Sequence, residues 1–298
     1  MKTYQTIDGM WYEAVKSLMR APAVESRDGA CYEHLGWSGT LMDPTQSLLN
    51  CKERKLSHRY AAAELLWYFS GTDRGDLISK FAKSYERFLV DGRAEGAYGP
   101  RLFPTDEATS GALVDVIAEL RRDRNSRRAF ASVFRAEDLK LATRRKVVDL
   151  PCTVGLQFLI RDNKLHCIAT MRSNDVWLGM PYDVFAFTQI QRLVASRLMV
   201  DVGWYVHQVG SLHLYERNAA TADTITPTWG DAEKPFDLSW DVPYSEETRG
   251  GLDDENFLYM LGSEALGALE GSESAWSQSC SPAFNRLAAV ARGQEETL

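Results

Sequence analysis

No stretch of the chain approaches the roughly 18 consecutive apolar residues that a bilayer-spanning helix needs, and the opening MKTYQTIDGMWYEAV has no apolar signal core. Neither secretion nor membrane association is therefore expected, and the cytoplasm is the default compartment. Cysteine is scarce: five residues, Cys31, Cys51, Cys152, Cys167 and Cys280, an odd number without C-x-x-C spacing. That argues against a disulfide framework and against a zinc centre, and no metal is expected. Positive charge is short as well. Lys and Arg total 34 against 41 acidic residues, a net charge of −7, which is the wrong sign for holding many phosphates, so no stable nucleic-acid partner is expected. Repeats of 20 to 50 residues and low-complexity linkers are absent too, so all 298 residues are read as one domain. Its core runs from about 10 to 225, followed by a divergent C-terminal appendage over about 226–298.

What is there reads as an ordinary globular composition, 45% apolar and 25% charged. Helical periodicity predicts helices over 10–20, 57–71, 74–90, 110–123 and 182–199, the second opening on Ser57 as N-cap and stopping at Gly71. Alternating or β-branched runs predict strands over 127–134, 154–171 with a turn near Asp162–Asn163, and 203–216. Elements that do not alternate strictly imply an α+β fold, a mixed or antiparallel sheet covered by helices.

The net charge still allows a small anionic ligand if arginines cluster, and SRRAF (126–130) and MRSND (171–175) supply them. The other chemistry-bearing feature is Cys152 in DLPCTVGLQF, a thiol at the mouth of a strand-like run. A thiolate is a nucleophile when a cationic neighbourhood favours it. Taken alone, the residue is read first as an inert core cysteine; a thiol-protease dyad with His166, His207 or His213 is a further reading, but no local cysteine-protease signature accompanies it.

The order of several blocks decides between these readings. LPCT, MRSND, LGMPYDVFAF and VGSLHLYERN, preceded by AAAELLWYFSGT and SRRAF, resemble the active-site blocks of the thymidylate synthase superfamily in the same order, over about residues 20–220. The resemblance implies a sheet-mediated homodimer and a nucleoside monophosphate substrate. It assigns Cys152 as the nucleophile that adds to C6 of a pyrimidine. Arg27, Arg172 and Ser173 become phosphate ligands, with Arg127 and Arg128 reaching the phosphate in the neighbouring subunit. His213 and Tyr215 hold the sugar hydroxyl, and Glu64 organises water and proton movement. Asp175 lies near the base and the folate. Tyr85, Phe88, Leu178, Gly179 and Tyr182 join Asp175 as positions for the cosubstrate, 5,10-methylenetetrahydrofolate.

Two departures carry information. Asp183 stands where thymidylate synthases carry asparagine, and Thr153 where they usually carry histidine. Uracil offers an N3–H donor beside the O4 acceptor, whereas cytosine offers an N3 acceptor beside an N4 amino donor, which a carboxylate can answer. The combination resembles the deoxycytidylate hydroxymethylases of the superfamily and implies dCMP as substrate, with Asp183 in both base recognition and catalysis. In that reaction water adds to an exocyclic methylene at C5. The competing fate, hydride transfer, gives a methyl group. Tyr85 and Phe88 in SYERFLVDG, where tryptophans are expected, and the ending GQEETL lean towards the wetter outcome. A cytidylate methyltransferase, a CMP hydroxymethylase and a non-catalytic nucleotide- or RNA-binding dimer on the same fold remain the alternatives. A soluble enzyme of this kind suits phage DNA modification, in a host cytoplasm, or a small-molecule pathway.

Overall fold

The computed structural model describes residues 2–105, 110–145, 149–226, 253–272 and 282–298. Along the chain lie β1 (Lys2–Tyr4), α1 (Ile7–Leu18), β2 (Ala23–Ser26), β3 (Gly29–Leu41), α2 (His58–Phe69), α3 (Gly75–Ser79), α4 (Gly99–Leu102), α5 (Ala112–Arg122) and β4 (Phe130–Ser132). They are followed by α6 (Ala136–Arg145), β5 (Thr153–Arg161), β6 (Lys164–Asp175), α7 (Met180–Leu198), β7 (Asp201–Tyr215), α8 (Glu216–Thr224), α9 (Asp254–Glu270) and α10 (Pro282–Arg292). The fold is α+β with a mixed sheet, as the elements predicted. Two compact units emerge: Met1–Leu56 with Cys152–Gln191 and Asp201–Asp237, and Ser57–Pro151 with Arg192–Val200 and Leu238–Leu298.

The first unit is built on the sheet order β1-β3-β7-β6-β5, with β2 also on β3. β5 and β6 form an antiparallel hairpin closed at Asp162 and Asn163, both in the left-handed region (φ 51° and 58°) that a tight two-residue hairpin turn requires. β6 runs parallel to β7, the crossover being made by α7, and β7 is antiparallel to β3. Below the sheet, α1 buries Ile7, Met10, Trp11, Val15 and Leu18, and the first part of α7 buries Val184, Phe185, Phe187 and Ile190. Each such side chain contributes on the order of 1.5–3 kcal/mol of burial. Gln191 Nε2, buried, donates to the carbonyls of Leu165, Gly203 and Trp204.

A crease crosses this sheet. The β3–β7 ladder pairs Leu35 with Ser211 and Trp37 with Val209 but not Gly36 with Gly210, and the β6–β7 ladder skips Arg172 at the same level. Gly36 has φ 70°, and a Cβ on Gly210 would lie 2.8 Å from the Arg172 carbonyl oxygen. β5 carries a register shift between Thr153 and Gly155. The inward-facing residues change phase there: Cys167, Ala169 and Met171, then Asn174, on β6, and Tyr205, His207 and Val209, then Leu212 and Leu214, on β7. A one-residue irregularity has that effect because strand side chains alternate with a period of two.

The second unit centres on α2. Ser57 accepts from the Tyr60 N–H as N-cap, and Gly71 follows the helix with φ 62°. Ala61–Ala63 and Leu65–Phe69 are all buried, against α9 and α10 among others. Asp254 at the start of α9 is buried between Arg121 and Arg197, accepting from Arg197 Nε at 2.9 Å. The single helix expected over 74–90 is instead α3 followed by a 3-10 turn at Lys83–Phe88. The tighter winding brings residues three apart into line, so the Tyr85 and Phe88 rings meet edge to face at 5.7 Å while Tyr85 meets Trp67 at 5.6 Å. Aromatic packing outweighs the helical periodicity. The strand expected over 127–134 shrinks to the three residues of β4. Among the described residues no helix is long and apolar enough to cross a membrane.

Candidate active site

In the first unit, the nucleophile candidate stands at the crease. Cys152 directly precedes β5 and keeps partial solvent exposure, whereas Cys31, Cys51 and Cys167 are buried; all four are free thiols, and Cys280 lies outside the described residues. The Arg172 backbone N–H donates to the Cys152 carbonyl at 2.8 Å, and the Arg172 guanidinium Nη2 lies 3.7 Å from Cys152 Sγ. Cys167, facing Phe158 across the hairpin, has its thiol pushed far up by burial. The sheet thus holds one thiol beside a cation and another in hydrocarbon.

Around this pair the strand register gathers several predicted residues. Ser173 is level with Ser211, and Asp175 with His213. The His213 and Tyr215 rings meet edge to face at 5.1 Å. Burial, the largest influence, raises the Tyr215 hydroxyl. Arg27 occupies the exposed hairpin between β2 and β3, where its guanidinium lies 3.5 Å from the neighbouring Asp28 carboxylate. Asp175 Oδ1 accepts from the backbone N–H groups of Trp177 (2.8 Å) and Leu178 (3.0 Å), so it organises the turn that leads into α7. On that turn Leu178 is 44% exposed, and Arg54 lies over the Trp177 and Tyr182 rings at 5.9 and 5.5 Å.

Asp183, in the first turn of α7, is a strongly perturbed carboxyl. Burial drives it up to about 7; the Asn174 hydrogen bond opposes this, and the charge of Asp175 adds to it. The helix N-terminus favours a negative charge there by at most about 2 kcal/mol, so desolvation prevails. Asn174 Nδ2 donates to Asp183 Oδ2 at 2.8 Å. Behind Asn174 comes a buried chain that sequence reasoning missed: Asn174 Oδ1 to His207 Nε2 at 2.9 Å, and His207 Nδ1 to the Tyr205 hydroxyl at 2.7 Å. Burial holds His207 down to about 3, so its ring is neutral, and raises Tyr205 well above its ordinary range. A polar residue on the inward phase of an otherwise apolar strand, Tyr205-Val206-His207-Gln208-Val209, was the available signal. Gly179 completes the arrangement, because a Cβ there would sit 3.0 Å from Asn174 Nδ2 and 3.2 Å from Asp183 Oδ2.

The second unit carries the remaining candidates. Glu64 is the one position of Ala61–Phe69 with solvent access, and it accepts from the Tyr60 hydroxyl at 2.7 Å. Tyr85 and Phe88 are half-buried on the 3-10 turn. Arg127 and Arg128 are exposed, following Ser126, whose hydroxyl donates to Glu119 and accepts from the Arg128 N–H.

Comparison with known proteins agrees with this architecture. The thymidylate synthase family model matches residues 40–227. Over 172 residues the chain is 28% identical to the thymidylate synthase of Bacillus atrophaeus and to thymidylate synthase 1 of Bacillus amyloliquefaciens, covering 55% of this chain and 74% and 73% of theirs. The thymidylate synthase of Bacillus subtilis subsp. natto is matched at the same identity over 60% of its length. The chain belongs to the thymidylate synthase family. The family defines a class of enzyme: one-carbon transferases that act on pyrimidine nucleotides with folate as cosubstrate.

Proposed function

We propose that the protein is a cytidylate hydroxymethylase, converting dCMP, 5,10-methylenetetrahydrofolate and water into 5-hydroxymethyl-dCMP and tetrahydrofolate. The observation that carries this reading is Asp183, a carboxyl held by Asn174 and raised to about 7. Near neutral pH such a group is available both as a carboxylate and as an acid. It can accept from the N4 amino group of cytosine and share a proton with N3, a pair of contacts that an asparagine amide arranged for uracil does not make.

Cys152 is the nucleophile in this reading. Arg172 acts twice, its cation favouring the thiolate and its guanidinium binding the substrate phosphate. Arg27, Ser173, Arg127 and Arg128 complete the phosphate ligands, the last two across a homodimer interface. His213 and Tyr215 take the sugar hydroxyl, and Glu64, already bonded to Tyr60, moves protons and orders water. The turn after Asp175 suits a planar, partly apolar cosubstrate: Leu178 is exposed, Gly179 presents no side chain, and Tyr182 lies beside Arg54. Asp175, Leu178, Gly179 and Tyr182, with Tyr85 and Phe88, would hold 5,10-methylenetetrahydrofolate. That cosubstrate supplies the carbon at the oxidation level of formaldehyde. With Tyr85 and Phe88 in place of larger tryptophans, the residues leave more room for water.

The test is the mass of the product formed from dCMP and from CMP with formaldehyde and tetrahydrofolate, together with tritium release from C5. A hydroxymethyl gain on dCMP is expected. A methyl gain with dihydrofolate formation overturns the hydroxymethylase reading in favour of a methyltransferase, and the absence of both product and tritium release overturns the catalytic reading altogether.

A further inference from the structure

A protonated carboxyl does not by itself distinguish cytosine from uracil. It has one donating and one accepting oxygen. With the proton on the oxygen facing N3 it matches cytosine, and with the proton on the other oxygen it matches uracil's N3–H and O4. Something must fix which oxygen carries the proton. In this structure Asp183 Oδ2 accepts from Asn174 Nδ2 at 2.8 Å. A carbonyl-type oxygen accepts better than a hydroxyl oxygen, so this bond confines a proton to Oδ1.

The orientation of Asn174 is itself fixed from behind. Its Oδ1 faces His207 Nε2 at 2.9 Å, and only an N–H can satisfy a carbonyl oxygen there. The neutral ring therefore carries its hydrogen on Nε2, which leaves Nδ1 as the acceptor for the Tyr205 hydroxyl at 2.7 Å. Asn174, His207 and Tyr205 are all buried, and Trp37 meets the His207 ring edge to face at 6.4 Å. Turning the carboxamide over would move the ring hydrogen to Nδ1, facing Tyr205, and would present the amide oxygen to Asp183, where an ionised carboxylate repels it. The hydrogen bonds therefore run in one sense, from Tyr205 through His207 and Asn174 to Asp183.

We propose that His207, held by Tyr205 and acting through Asn174, is a positioning residue that sets the hydrogen-bond polarity of Asp183 and so the choice between cytosine and uracil. This rests on the cytidylate reading given above. No contact between His207 and the nucleotide is involved, and two residues, Asn174 and Asp183, stand between it and the base.

The experiment measures kcat/KM for dCMP and dUMP, and calorimetric binding of each nucleotide, in the wild type, His207→Gln, His207→Phe and Tyr205→Phe, alongside 15N NMR of the His207 ring in the free wild-type protein. Gln places its Nε2–H where the imidazole Nε2–H stands, so the dCMP:dUMP ratio is expected to hold within a few-fold. His207→Phe removes the donor, frees the Asn174 amide to turn, and is expected to cut that ratio at least tenfold, largely by admitting dUMP, with affinity for inorganic phosphate unchanged. Tyr205→Phe, which deletes a single oxygen and carries the test if His207→Phe does not fold, is expected to cut it about threefold. NMR is expected to find the hydrogen on Nε2. Hydrogen on Nδ1, or equal ratios in the Gln and Phe variants, overturns the proposal. A wild type that prefers dUMP, with hydrogen on Nε2, overturns the cytidylate reading while the polarity of the chain stands.

Discussion

Two regions of one sheet prepare titratable groups in opposite ways. At the crease, Cys152 is partly exposed and lies beside a guanidinium, so charge is its neighbour and water its competitor. Farther along β6, Asn174 links Asp183 of α7 to His207 and Tyr205 of β7 in a chain in which hydrogen bonds and burial outweigh charge. A partly exposed thiol beside a cation is open to a substrate, whereas a carboxyl raised by burial changes its protonation state near neutral pH. Cys167 shows what burial alone does to a thiol: it is driven up and left inert. On the function proposed above, nucleophilicity and recognition draw on separate physical means within a few residues of β6.

The largest effect that breaks this comparison is expected at Cys152. Cys152→Ala should lower turnover by at least about a thousandfold while nucleotide binding persists, because a covalent step has no substitute nucleophile. Cys167→Ala should keep turnover and cost on the order of 1–2 kcal/mol as a small cavity in the core. Equal turnover of wild type and Cys152→Ala would remove Cys152 from the chemistry. Next comes Arg172→Gln. Charge-assisted bonds contribute about 1.5–3 kcal/mol, so KM for the nucleotide should rise roughly 10- to 100-fold, and iodoacetamide should label Cys152 more slowly. Unchanged labelling would separate the guanidinium from the thiol. Asp183→Asn should move the dCMP:dUMP ratio of kcat/KM by roughly tenfold or more towards dUMP, on the scale of about 1–3 kcal/mol for a mismatched base contact. A ratio that does not move would take Asp183 out of base recognition.

The remaining effects are slopes in stability rather than changes in turnover, and they have opposite signs. Asp183 ionises near 3.8 when unfolded and at about 7 when folded, so the native state retains a proton that the unfolded state has released. Its contribution is fully present below about pH 4 and declines as pH rises to about 7. His207 is the reverse: 6.5 unfolded and about 3 folded, so the unfolded state gains a proton that the native state refuses, and stability declines as pH falls from about 6.5 to 3. Urea unfolding across pH 3–8 should show the first slope missing in Asp183→Asn and the second missing in His207→Gln. Parallel curves for wild type and both variants would contradict the burial assigned to the inner chain.

Legibility from sequence followed the range of the physics. The β5–β6 hairpin was readable because Asp162 and Asn163 tolerate positive φ, and α2 because Ser57 and Gly71 mark its ends. β1, β2 and β3 went unread: GACYEHLGWSGTL has neither clean alternation nor a continuous apolar run, and its strand conformation depends on pairing with β7, more than 160 residues away. Residues 74–90 carry helical spacing, yet Tyr85 and Phe88 obey ring contacts that only folding creates. At the site, Cys152, Arg172 and Asp183 were legible because each sits in a short local block. Nothing local in MRSND gives Asn174 a role, and in the sequence His207 suggests only a protease partner. Their function, as proposed, is a relation between two strands, and neither strand states it alone.

The crease at Gly36, Gly210 and Arg172 sets a bound on how the chain can vary in length. Past it, the inward residues of β6 and β7 are even-numbered, and before it odd-numbered. His207 lies before the crease and Asn174 after it, so the two meet on one face only because the strands change phase between them. An insertion or deletion of one residue in β6 or β7 at this level would turn Asn174 away from His207, or the histidine away from the asparagine, even with every side chain retained. A surface loop can absorb a change of length, whereas here the residue count is itself part of the arrangement.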